Sequence, residues 1–237
     1  MTRTTNARIA GFTFLFYIAA GIASMVLFGR AASRAGIAAK LAGIAQHATA
    51  MHGVVVLTLL TSFSALVLGV TLYAITRVQD PDLAMLALIC RVIEGVNGAT
   101  SIKRLLGLLG VAKAAGANAP HAEAAQALGA YLLTGDGPGI SATFFAVGST
   151  IFAWLLLRGR MIPVPMAWLG VVSSVFLIVA LPLQLFGFIG ETWLIWMPML
   201  VFEVAFALWL LIKGAAMPPT WRADPFDRVP SEKPLLF

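Results

Sequence analysis

Arg91 and Glu94 stand three residues apart inside an otherwise apolar stretch, and Glu203 stands in the middle of another. A guanidinium and two carboxylates can form an ion pair, hold a proton, bind the polar end of a ligand or act as acid and base. At bilayer depth a charge costs at least ~2.5–3.5 kcal/mol per residue and is usually kept for a function. Asn97, Gly98 and Ser101 continue the side of the helix that carries Arg91 and Glu94, giving a polar stripe. One guanidinium neutralises one carboxylate, so the second is a place for a cation or a proton. Three readings follow: a polar lock fixing helix register, a ligand or proton site, and a catalytic carboxylate.

The elements that must position these charges are membrane helices. Hydrophobic residues make up 60% of the 237-residue chain and charged ones 11%, and mean hydropathy is +0.92. Soluble chains carry about 25% charged residues. Several runs approach the ~20 apolar residues that cross a ~30 Å hydrocarbon core. Alternating ten-residue strands are absent, which excludes an outer-membrane barrel. The class is all-α: a polytopic bundle of six spans, at about 8–29, 51–76, 82–102, 139–157, 163–187 and 192–212. Residues 1–217 form one transmembrane domain, and 218–237, rich in proline, form a flexible tail. The run from Ile9 to Phe28 is longer than a cleavable signal core and reads as a retained first span. Pro182 and Pro198 are expected to kink or unwind the fifth and sixth spans.

Depth brings the charges to one level. Arg91 lies nine residues past Asp82 and Glu203 nine before Ile212, so each is about 13 Å from the same boundary at ~1.5 Å per residue. The economical expectation is an ion pair between spans three and six.

The connections are unequal. Asp80 or Asp82 is expected to cap the third span, with Pro81 in its first turn. The long connections 30–50 and 103–138 each contain an amphipathic stretch suited to the membrane interface: Ile37, Leu41, Ile44 and Ala48 in one, Ala125, Leu128 and Leu132 in the other. Lys103 and Arg104, followed by Leu105–Val111, are expected to continue the third span and bend at the surface. With the amino terminus inside, the inner face collects nine Lys and Arg against six outside, placing both termini in the cytoplasm and both long connections over the outer face as a lid. The net charge of +6 sits mainly at span ends and in loops, where it sets topology and meets lipid head groups. It forms no patch interleaved with exposed aromatics, so the partner is the bilayer and not nucleic acid.

Other constellations are thinner. His47, His52 and His121 share the outer side with Glu191, but a His/carboxylate metal site needs three or four convergent ligands. His47 and His52 are five apart, poor for one helical face, so interfacial histidines are the plainer reading and no cofactor is expected. Cys90 is alone and offers no disulfide or zinc spacing. Trp168, Trp193, Trp196 and Trp209 fall near span ends, as in an interfacial belt. Gly95, Gly98, Gly148 and Gly170 read as close-packing points between helices.

Ala7-Arg8-Ile9-Ala10-Gly11, the Arg91/Glu94 pair, Phe202-Glu203 and the run from Ala207 to Gly214 resemble the bacterial membrane-protein family catalogued as domain of unknown function 4386. The resemblance spans about 7–214 and implies a multi-span inner-membrane protein with no assigned activity. The expected role is binding or sensing: a small apolar or amphipathic ligand, or a proton, at Arg91, Glu94, Asn97 and Glu203. The alternatives are an intramembrane lipid-modifying enzyme and a structural or regulatory subunit, and oligomerisation is compatible with all three. A cavity that contains Arg91 and opens to the outside or to lipid favours binding; three outer histidines converging within metal-ligand distance favour the enzyme; a solid cluster with an exposed small-residue face favours the subunit.

Overall fold

The computed structural model describes residues 2–115, 122–134, 139–190 and 192–218. Their helices are α1 (Arg3–Ala31), α2 (Ile37–Gln46), α3 (Ala48–Thr76), α4 (Pro81–Ala114), α5 (Ala122–Thr134), α6 (Ile140–Arg158), α7 (Val164–Leu185) and α8 (Met197–Ile212). A 3-10 turn over Trp193–Trp196 leads into α8. Six helices are long and apolar enough to cross a membrane: α1, α3, α4, α6, α7 and the turn joined to α8. Their outward surfaces carry large apolar side chains, among them Phe12, Phe63, Val70 and Val172, each more than half exposed. Water would not tolerate so continuous an apolar exterior, and the chain is a multi-pass membrane protein.

The helix starts follow local chemistry. The Asp80 carboxylate accepts the amide of Leu83 at 3.0 Å, and Pro81 fills the first position of α4, where its missing N–H costs nothing. Pro198 falls in the first turn of α8, and the sixth span is locally unwound just before it, into the 3-10 turn Trp193–Trp196, where the proline cannot donate back to the Leu194 carbonyl. Pro182 lies inside α7, in its last turn. Hydroxyls within the spans satisfy themselves: Ser62, Thr71 and Ser174 each donate to a carbonyl one turn back, at 2.8, 2.8 and 2.6 Å. These side chains are polar by composition but spoken for.

The six spans form a closed ring in the order α1, α3, α4, α6, α7, α8 and back to α1. In that order α4 faces α8, and α1 faces α6. At the end bearing Arg3, the ring is filled by Phe14, Leu72, Phe152, Leu156 and Phe206. Arg3 ties that end together, donating to the carbonyls of Ile75, Ala215 and Ala216 at 2.9, 3.1 and 2.8 Å.

At the opposite end α4 overshoots. Its 34 residues extend about 51 Å at ~1.5 Å per residue, well beyond a ~30 Å core. Leu105, Leu108 and Leu109 of the overhang pack against Leu41 and Ile44 of α2 and against Met51 and Val54 of α3. The expected short helices in the long connections are present, and α2 turns its apolar face onto the α4 overhang. In α5 the inward residues are Gly129 and Leu132, while Leu128 is half exposed. Together these elements build a cap on one side of the ring. The residues from 219 onward lie outside the described part of the chain.

Helices approach closely where glycine allows it. A Cβ at Gly11 would lie 2.6 Å from the Ala207 carbonyl oxygen, and one at Gly95 2.9 Å from that of Ser62. Gly11→Ala is expected to lower stability by about 1–3 kcal/mol through overpacking against backbone. Gly21→Ala, with nothing within 4 Å, should be neutral or slightly stabilising. Thermal unfolding of both purified variants in detergent checks the contrast; equal melting temperatures would contradict the α1–α8 contact.

Candidate functional site

Arg91 is the largest of the fully buried side chains, 1% exposed. Two glycines admit it. A Cβ on Gly69 of α3 would lie 3.0 Å from Arg91 Cβ, and one on Gly148 of α6 would lie 3.6 Å from its Cδ. The side chain of α4 therefore passes between its two neighbours and delivers its guanidinium to the ring interior.

There the charge meets one carboxylate and two rings. Arg91 Nη1 is 2.8 Å from Glu94 Oε2, one helical turn away. Tyr17 of α1 donates its hydroxyl to Glu94 Oε1 at 2.9 Å. Ser141, at the start of α6, donates to the backbone carbonyl of Glu94 at 3.0 Å. The guanidinium carbon lies 5.1 Å from the Phe145 ring centroid and 5.7 Å from that of Tyr17, within cation–π reach. Among the described residues no guanidinium nitrogen has a hydrogen-bond partner in good alignment, so the contact with Glu94 is a charge contact more than a directed bond. The arginine is held by electrostatics and aromatic faces.

Glu203 is on α8, across the ring. It is 6% exposed, and among the described residues its Oε1 has no hydrogen-bond partner. It is not among the carboxylates within 4.0 Å of Arg91. The direct pair expected between spans three and six is thus replaced by a pair within α4, steadied by Tyr17. The physical reason is ring order: α4 and α8 stand opposite one another, and space lies between them.

That space is an open cavity of about 970 Å³. Its base carries Tyr17, Glu94, Phe145 and Glu203. Its walls include Gly21, Ile22 and Met25 of α1, Thr61 of α3, Asn97, Ser101 and Arg104 of α4, and Leu200 of α8. The polar stripe of α4 thus runs up one wall. Trp196 does not join an interfacial belt: its ring tilts against Phe145 at 5.9 Å and lines the cavity. Trp168 and Trp193 are exposed on the surface.

Glu94, Asn97 and Glu203 line this cavity, whereas Arg91 is not in its lining and meets it through Glu94, so the expectation of a cavity containing Arg91 is not met as stated. Tyr17, Phe145 and Trp196 join them without having been singled out from the sequence as members of the cluster. One signal was available for Tyr17, a phenol mid-way along an apolar span, whose hydroxyl needs a partner when buried. The candidate metal ligands do not assemble. His47 is exposed, with Nδ1 2.9 Å from the Gly43 carbonyl, and His52 is exposed. His121 and Glu191 lie outside the described residues. Among the described residues no group of three or more metal-ligating side chains forms.

A model of the family described as "Domain of unknown function (DUF4386)" matches residues 9–214, which include every residue of this site. No curated protein and no solved structure matches the chain.

Arg91→Met leaves the Glu94 carboxylate buried without its cation, and should destabilise the protein by about 3–5 kcal/mol. Adding Glu94→Gln should return most of that loss. Chemical or thermal unfolding of the two single variants and the double variant measures the coupling; strictly additive losses would show that the two side chains are not a unit.

Proposed function

The chain belongs to the DUF4386 family, a family defined without an activity, and we propose that its helix ring is a binding protein for a small amphipathic molecule. The ligand enters the cavity from the capped side, lays its apolar body along the walls and sets its polar end on the base. The observation that carries this reading is the cavity itself, about 970 Å³ and ending on a buried carboxylate with an unpartnered oxygen. Ligand pockets of about 300–1,000 Å³, mostly apolar with a few convergent polar groups, are the usual form of a small-molecule site. The mixed lining fits that form: Ile22, Met25 and Leu200 offer apolar surface, while Asn97, Ser101 and Glu203 offer donors and acceptors.

The cluster has a division of labour on this reading. Arg91, Glu94 and Tyr17 compensate one another and keep the base in shape, so a ligand need not break their contacts. Glu203 is the group left to recognise it. An intramembrane enzyme would need an acid or base within reach of a bond to be broken and a second group to stabilise the developing charge. The arrangement supplies a receptor for a polar end more directly than it supplies that pair.

Blocking the cavity tests the reading. Gly21 lines it and has open space where a side chain would grow. Gly21→Phe should keep the unliganded melting temperature but remove binding. With the protein in nanodiscs, 1-decanol at about 100 times its Kd should stabilise the wild type by about 2.7 kcal/mol and leave Gly21→Phe unmoved. An equal shift in both proteins would place the effect in the lipid and sink the proposal.

A further inference from the structure

Three ionisable side chains face one another at the base of the ring, two acids against a single guanidinium. Arg91 lies against Glu94 at 2.8 Å. Glu94 spends its other oxygen on Tyr17 at 2.9 Å. Glu203 is buried (6% exposed), lines the cavity and has one oxygen with no partner among the described residues. The base therefore offers one carboxylate more than it offers cations. An unpaired acceptor in a dry site is costly until something donates to it, and a donor that is itself charged makes the stronger bond.

The surroundings discriminate in the same direction. Tyr17, Phe145 and Trp196 present aromatic surface at that level, which favours a cation over an anion. Arg104 stands at the other end of the cavity, ten residues further along α4 and so about 15 Å away at ~1.5 Å per residue. Its Nη1 is anchored to the Leu132 carbonyl at 3.1 Å. The cavity is polarised, positive towards the cap and acidic at its base. An anionic amphiphile lowered head-first would meet the acid side chains of Glu94 and Glu203, with Arg91 outside the lining; a neutral one would leave Glu203 without a counterion.

We propose that the ligand class is a lipophilic amine, bound with its ammonium group on the Glu203 carboxylate and its apolar body along Ile22, Met25 and Leu200. This rests on the cavity being a binding site, and the closing experiment separates the two claims. The full chain in nanodiscs is titrated calorimetrically with decylammonium chloride, 1-decanol and sodium decanoate, with protein-free nanodiscs subtracted. The wild type should bind decylammonium about tenfold or more tighter than decanol, with decanoate weakest. Glu203→Gln should bring decylammonium down to the decanol level, and Glu203→Asp should retain the preference. Saturable decanol binding without an ammonium preference in the wild type, or a preference kept in Glu203→Gln, overturns the amine assignment alone. No saturable binding of any of the three overturns the cavity reading with it.

Discussion

A single guanidinium buried at the centre of an apolar ring constrains everything around it. Hydrocarbon cannot solvate it, so protein must surround it on every side. Glu94 supplies the countercharge, Tyr17 and Phe145 supply aromatic faces, and Gly69 and Gly148 clear the path for the side chain. These residues come from α1, α3, α4 and α6. The charge is therefore a fixed point to which most of the ring is registered. Below it Phe14, Phe152 and Phe206 fill the interior but for one small void; above it the ring stands open.

The open half follows from unequal helix lengths. α6 begins beside Glu94, because Ser141 bonds that residue's carbonyl, whereas α4 runs on to Ala114. The overhang cannot be left bare, and α2 and α5 cover it by burying Leu41, Ile44 and Leu132 against Leu105, Leu108 and Leu109. The cap and the cavity are thus two results of one mismatch. Glu203, placed on the helix opposite α4, looks across the gap instead of into a partner.

Much of this could be read from residue types alone. The six spans follow from apolar runs, and Arg91, Glu94 and Glu203 stand out because charge is expensive at that depth. Asp80 before Pro81 announced the start of α4. What could not be read was who faces whom. A depth count puts Arg91 and Glu203 at one level but carries no information on ring order, so the pair inferred across the bundle became a pair within α4. Trp196 read as a belt residue from its place near a span end, and nothing in the sequence set Phe145 apart from the other apolar residues of its span. The apolar face of α2 was plain, but periodicity does not say whether lipid or a protein overhang will cover it. Sidedness is written in the Lys and Arg of the loops, and the packed ring would look the same inserted either way.

The central claim is that Glu203 is the open valence of the charged cluster. Infrared difference spectroscopy on the nanodisc-embedded protein, with and without decylammonium, reads its carboxyl group directly. The account predicts a ligand-induced difference band in the carboxyl and carboxylate region that vanishes in Glu203→Gln and persists in Asp82→Asn, which alters a carboxylate at the far end of α4. An unchanged band in Glu203→Gln, with ligand bound, would contradict it.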